Sequence, residues 1–354
     1  MFDLEFFRGK RVLITGHTGF KGSWMSRILV GAGADVTGYS LEPPTQPNLY
    51  TISRLEDAIH SVTADVRDFE QLAKVFDEVR PEIVFHLAAQ PIVRTSYQRP
   101  VDTYEINVMG TVHVCECIRR CPEVRSFVNV TTDKVYQNHE WEWGYRESDP
   151  LDGWDPYSNS KSCSELVTHS YAHSFFEGRE IAISTARAGN VIGGGDFAKD
   201  RIIPDCIRAI QSGTELILRN PDATRPFQHV LEPVMAYLLL AKKQYEDRSY
   251  QGCYNVGPDD SSCVTTAELV ETFAGLWGPQ MKWKIQSDDG PHEANFLKLD
   301  SSKIKSRLGW RPVWDIGRAL LATVEWTKAF LDGRDVAQIM DQQIEEYIED
   351  SRQE

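Results

Sequence analysis

Short apolar runs alternate with longer amphipathic stretches through the first half of the chain. Arg11-Val12-Leu13-Ile14-Thr15 reads as a strand buried on both faces, because its apolar residues are consecutive rather than alternating. A glycine-rich turn and a helix to about Val30 follow, closed by Gly31-Ala32-Gly33. The same reading gives strands at 35–39, 60–63, 82–87, 126–130 and 181–185. Helices fall between them, up to 79, over 101–120 and over 157–176. Pro43-Pro44-Thr45-Gln46-Pro47 is a surface loop. Repeated strand–helix units of this length predict a parallel sheet covered by helices on both faces.

Beyond Gly189 the rhythm breaks. Gly193-Gly194-Gly195 interrupts regular structure, the elements shorten, and proline recurs at 204, 221, 226, 233 and 258. The pattern predicts an α/β protein of two parts. Residues 1–188 form a doubly wound domain, with return segments near 228–256, and 189–354 form mainly a smaller α/β lobe.

Composition narrows the function classes. A formal charge of −14 disfavours nucleic-acid binding, and any anionic ligand needs a local cluster of Arg and Lys. No apolar run of about 18 residues is present, which predicts no transmembrane helix. The start, Met1-Phe2-Asp3-Leu4-Glu5, lacks the basic and apolar regions of a secretory signal. The seven cysteines are irregularly spaced, and Cys115, Cys117 and Cys121 fall in a predicted helix without metal-ligand spacing. Reduced thiols, no metal and a cytoplasmic location are the expectation.

Two motifs carry chemistry. Gly16-His17-Thr18-Gly19-Phe20-Lys21-Gly22 joins strand one to helix one, where missing side chains let the backbone approach a pyrophosphate at the positive helix end. The context marks a dinucleotide site of Rossmann type. The acidic residue expected after strand two is replaced by Tyr39-Ser40, with no adjacent Arg or Lys, so this position leaves NAD and NADP both open. Asp65-Val66 is placed to meet the adenine, and Leu87-Ala88-Ala89 offers small side chains beside the cofactor backbone.

The second motif is Tyr157 and Lys161, four residues apart on one helix face. A Lys ammonium beside the phenol is expected to lower a pKa of about 10 toward the working pH. Such a tyrosine removes a hydroxyl proton while a nicotinamide takes the hydride. Thr131-Thr132, one strand–helix unit earlier, offers a hydroxyl to the substrate oxygen.

With these residues the chain resembles the extended short-chain dehydrogenase/reductases, and within them the nucleotide-sugar 4,6-dehydratases. The likeness is carried by Gly16, Gly19, Gly22, Phe85-His86-Leu87-Ala88-Ala89, Asn107, Thr132-Asp133-Lys134-Val135-Tyr136, Tyr157 and Lys161. It continues through Arg187-Ala188-Gly189-Asn190-Val191 and Arg225-Pro226-Phe227-Gln228-His229-Val230 to the stretch 303–312, and so covers nearly the whole chain. Sibling epimerases place small or apolar residues after the Thr. Asp133 matches the dehydratases, whereas Lys134 stands where they usually carry Glu, a variant that points to the CDP-glucose branch.

The resemblance implies a three-part reaction in deoxysugar synthesis for O-antigen-type polysaccharide, with NAD used and regenerated. Hydride leaves sugar C4 while Tyr157 takes the O4 proton; the C5 proton and O6 depart as water; hydride returns to C6 and C5 is reprotonated. Asp133 fits the acid for O6 if burial protonates it, and Lys134 fits the C5 base if it is neutral. Pairing of Lys134 with Asp133, or with a sugar hydroxyl, is the competing reading. The resemblance also implies a cofactor site including Asn107 and Thr131, Arg225 on the substrate pyrophosphate with Asn190 beside it, and weaker candidates in Arg201 and His292. His86 reads as structural. Trp141, Trp143 and Trp154 either cover the sugar or pack their own loop. A homodimer through the helices near 101–120 and 157–176 is implied by the same likeness.

Overall fold

The computed structural model describes residues 2–286 and 296–352. Seven parallel strands form the main sheet. They are β1 (Arg11–Thr15), β2 (Asp35–Ser40), β3 (His60–Thr63), β4 (Ile83–His86), β5 (Ser126–Val130), β6 (Ala182–Arg187) and a last strand, Gly252–Asn255. The order across the sheet is Gly252–Asn255, β6, β5, β4, β1, β2, β3. Alternate residues of each central strand feed different cores, as the pleat requires. Val12, Ile14, Ile83, Phe85 and Val128 join one core, while Leu13, Val84 and Phe127 join the other.

The first core lies under α1 (Phe20–Gly31) and the helices Leu231–Glu246 and Val336–Asp350. The second lies under Phe69–Val79 and Gly110–Arg120. Phe69–Val79 shows why such helices form: Asp68 caps the Gln71 amide, and Leu72, Val75 and Phe76 share one buried face. Each such side chain contributes about 1.5–3 kcal/mol by leaving water.

The run expected as one helix over 101–120 contains a π turn. Pro100–Tyr104 is α-helical, Glu105–Met109 is a π-helical turn, and Gly110–Arg120 resumes the α-helix. A third core, holding Ile203, Leu216, Leu218, Val270, Phe273 and Leu320, builds the smaller lobe.

The C-terminal segment departs from the expected division. Trp310, Trp314, Met340, Ile344 and Tyr347 pack into the main domain's core. Glu232, fully buried, draws them there: its carboxylate accepts from the Trp314 amide at 2.6 Å and the Tyr347 hydroxyl at 2.7 Å. No helix among the described residues is long and apolar enough to cross a membrane. All seven cysteines are free, and no cluster of three or more potential metal ligands occurs among the described residues.

Three histidines are buried inside this frame. His17 packs under β2, where a side chain at Gly38 would strike its ring at 2.2 Å. His86 is held between Thr15 and Thr111 at 2.7 and 3.3 Å. His229 lies against Trp24 and Trp314. Burial pushes them down to about 4, 3 and 3 respectively. Because each folded pKa lies below the unfolded value of about 6.5, this contribution to stability is complete above pH 6.5 and is lost as pH falls toward the folded values. Urea unfolding measured from pH 7 to 5 is expected to show stability falling with acid. These three histidines should add about three protons taken up per chain near pH 5.5. A flat profile across that window would mean that they are charged in the native state.

Candidate active site

The sheet order reverses between β1 and β4, and the carboxyl ends of the strands there open onto a cleft, as in other doubly wound sheets. The cleft has a volume of about 1640 Å³ and runs from the glycine loop to the smaller lobe. Two residues fix the loop. Gly16 has φ +81°, and a Cβ there would lie 2.7 Å from the Ala88 amide. A Cβ on Gly22 would meet the Gly16 carbonyl at 2.2 Å, so the helix start seats directly on the turn. Gly19 caps α1 without a side-chain bond, an arrangement that suits an anion at the helix start.

Thr18, Gly19, Phe20, Ser40, Asp65, Val66 and Leu87-Ala88-Ala89 all line the cleft. Tyr39 stands where the acid was missing, and its hydroxyl donates to the Asp65 carbonyl at 2.9 Å. The Arg67 guanidinium grips Asp65 and holds its carboxyl below the usual range. These features fit a dinucleotide.

Two expected cofactor contacts point elsewhere. The His17 ring turns away from the cleft and bonds Ser61 at 2.8 Å. Asn107, in the π turn, clamps the Gln90 backbone, accepting from its N–H at 2.8 Å and donating to its carbonyl at 3.1 Å. It therefore sets the loop after Ala89 rather than lining the cleft.

The candidate reaction centre is assembled from three chain segments. Asp155 and Pro156 start the helix Pro156–Phe175, which carries Tyr157 in its first turn and Lys161 one turn on. Thr132 caps the short turn Asp133–Val135 and donates to Asp133 Oδ1 at 2.9 Å. Asn190 Nδ2 donates to Asp133 Oδ2 at 3.2 Å. Asn190 itself has φ +45°, an uncommon conformation for a side-chain-bearing residue. Gly189 clears the space: a Cβ there would lie 1.8 Å from Asp133 Oδ2. Asp133 is thus buried and gripped from both sides, while Lys134 lines the open cleft.

Lys161 Nζ donates to the Val130 carbonyl at 3.1 Å. Burial, reinforced by Lys21, brings its ammonium down to about 7. The expected lowering of Tyr157 by Lys161 is not found in the protein alone. Burial pushes the phenol up to about 12, opposed by its bond to Thr132 and by the charge of Arg201. Phenolate formation therefore has to be driven by what binds.

Arg225 and Arg201 reach the cleft from the smaller lobe, Arg201 paired with Asp196 at 2.9 Å. His292 lies outside the described residues. His86 is buried between Thr15 and Thr111 and does not line the cleft. Trp141 stacks on Tyr145 within its own loop, Trp143 and Trp154 are exposed, and none of the three lines the cleft.

Lys21 was missed by sequence reasoning. It projects into the cleft from α1, and burial with the charge of Arg201 brings it down to about 8. The available signal was a charge in the first turn of a helix whose neighbours are glycine and phenylalanine. The cations that an acidic chain needs around an anionic ligand line this cleft, Lys21, Lys134, Lys161, Arg201 and Arg225 among them.

Known proteins are similar along the whole chain. The family model described as GDP-mannose 4,6 dehydratase matches residues 13–321. The CDP-glucose 4,6-dehydratase of Salmonella typhimurium strain LT2 is 47% identical, over 98% of this chain and 99% of its own. MoeE5, solved with UDP-glucose and NAD, superposes with a TM-score of 0.77 at 25% identity, covering 91% of this chain and 100% of its own. The dTDP-glucose 4,6-dehydratase of Bacillus anthracis, solved with NAD, shares the fold at a TM-score of 0.77 and 21% identity, covering 93% and 100%.

The close approach at Gly189 makes a test of the acid's placement. Gly189→Ala must push the Asp133 carboxyl aside, and a shift of about 1 Å in a reacting group costs on the order of 10²-fold in rate. The variant is expected to lose about that much kcat while far-ultraviolet circular dichroism stays native. Wild-type kcat would mean that Asp133 has freedom the packing denies it.

Proposed function

The chain belongs to the GDP-mannose 4,6-dehydratase family, and from that membership we propose that it converts CDP-D-glucose to CDP-4-dehydro-6-deoxy-D-glucose and water. The observation that carries this reading is the convergence of Thr132, Asp133 and Lys134 with Tyr157 and Lys161 on one cleft floored by a dinucleotide loop. An epimerase has no leaving O6 and no use for a gripped, buried carboxyl at 133.

The glycine loop, Ser40, Asp65 and Lys161 hold NAD, which when bound supplies the acceptor and donor of hydride. Tyr157 takes the O4 proton, with Thr132 orienting that oxygen. The C4 ketone acidifies C5–H, and Lys134 removes that proton. Asp133, fixed by Thr132 and Asn190, protonates the departing O6. Arg225 and Arg201 bind the diphosphate, whose charge the surrounding cations need as much as it needs them.

The protein works as a homodimer through the helices Pro100–Tyr104, Gly110–Arg120 and Pro156–Phe175. The support is a row of exposed apolar side chains on or beside those helices: Val101, Tyr104, Met109 and Leu166. Leu166→Glu is expected to give a monomer by sedimentation velocity, and an unchanged mass would remove this face from consideration.

The reaction is tested by incubating the protein with NAD and a panel of nucleoside-diphosphate glucoses in deuterated water. CDP-glucose should yield a 4-keto-6-deoxy sugar carrying deuterium at C5. An epimer, or no turnover with any nucleotide, would overturn the assignment. Lys134→Ala should slow C5 deuterium incorporation by about 10²–10⁴-fold, the usual worth of a general base. A wild-type incorporation rate would remove Lys134 from that role.

A further inference from the structure

Behind the reacting groups lies a buried carboxylate that the reaction sequence does not use. Glu165 sits one helical turn beyond Lys161 on the helix Pro156–Phe175. Its Oε1 accepts from Thr131 Oγ1 at 2.5 Å, and its Oε2 accepts from Thr185 Oγ1 at 2.6 Å and from Arg187 Nη2 at 2.8 Å. The side chains of Glu165 and Arg187 are 1% and 2% exposed. Arg187 passes the network on to the Tyr136 hydroxyl at 2.8 Å and the Glu147 carbonyl at 3.2 Å.

An ion pair so deeply buried stabilises a fold weakly against an apolar replacement, because desolvation offsets most of the attraction. Its placement suggests a different purpose. Thr131 is adjacent both to Val130, whose carbonyl receives the Lys161 ammonium, and to Thr132, which orients Asp133. One carboxylate therefore ties the helix of Tyr157 and Lys161 to the strand end that carries the acid.

One turn back on the same helix stands a lysine in unfavourable surroundings. The groups around Lys161 are Lys21 from α1, the His86 imidazole at the end of β4, and Tyr157 and Glu165 on its own helix. Burial and Lys21 both oppose its charge, and Glu165 is the counterweight.

We propose that Glu165 is a positioning residue, tying the Thr131–Lys134 segment to the Tyr157 helix and supplying the counter-charge of Lys161. The proposal rests on the dehydratase reading for its kinetic consequence but not for its titration. Removing the charge shifts Lys161 toward the free amine, so the basic limb of kcat moves to lower pH. Removing only the Thr131 bond leaves that limb in place and slows the reaction.

The test compares wild type with Glu165→Gln, Glu165→Asp and Thr131→Val. Lysine side-chain carbon shifts are followed through a pH titration without substrate, with Lys161→Arg used to assign the signal. Glu165→Gln should titrate Lys161 at least about half a pH unit lower and lose kcat about tenfold or more, with KM for CDP-glucose within about twofold. Glu165→Asp should restore the titration in part. Thr131→Val should lose kcat with the Lys161 midpoint unmoved. Should the Gln variant fail to fold, Glu165→Asp, which draws the carboxylate back by one methylene, should still move the Lys161 midpoint down by a smaller amount.

An unmoved Lys161 midpoint in the folded Gln variant, or in Glu165→Asp where the Gln variant does not fold, overturns the proposal. So does a wild-type kcat in Thr131→Val. Absence of turnover in the wild type would instead sink the dehydratase reading, leaving the titration to decide Glu165 by itself.

Discussion

The active cleft depends on holding a buried helix at a fixed height against the carboxyl ends of two strands. Apolar contact alone does not set that height, because the helix Pro156–Phe175 meets the sheet through small polar residues, Ser164 and Thr168. Directional bonds take over. Asn129 donates to Ser164 and Thr168, the Lys161 ammonium to the Val130 carbonyl, and Thr131 to Glu165. Hydrogen bonds are steep in distance and angle, so a ladder of them fixes register where apolar packing would allow sliding. Tyr157, Thr132 and Asp133 inherit their mutual positions from that ladder.

Charge is the second constraint. The chain carries a net charge of −14, yet its cleft gathers Lys21, Lys134, Lys161, Arg201 and Arg225. Burial, with like charge beside it, disfavours an ammonium, and Lys161 and Lys21 are both brought well below a free lysine as a result. The same crowding is relieved when a dianionic diphosphate enters. Substrate binding and protonation are therefore linked, and the high phenol pKa of Tyr157 belongs to the protein without its ligands.

Much of this was legible in the sequence because it rests on short-range rules. The alternation of short strand-like runs with helical stretches marked six strands of the sheet, and glycine spacing marked the loop whose turn needs φ +81° at Gly16. The four-residue step from Tyr157 to Lys161 placed both on one helix face. Direction was not legible. His17 lies within the loop motif yet turns beneath β2, because Gly38 leaves room there. Asn107 matches the family pattern but works through Gln90, because a π turn rotates its side chain toward that loop.

Local pattern thus determined the strand–helix order, the nucleotide loop and the catalytic pair, since each depends on the conformation of a few neighbouring residues. Tertiary structure alone decided which distant groups meet. Trp314 and Tyr347 return to the main domain because a buried carboxylate, Glu232, requires partners, and Gly189 matters because Asp133 occupies the space beside it. Lys21 is an ordinary helix-start lysine in the sequence, and burial beside Arg201 makes it part of the site. Desolvation and close packing act between segments far apart in the chain, and their outcome exists only once those segments are in contact.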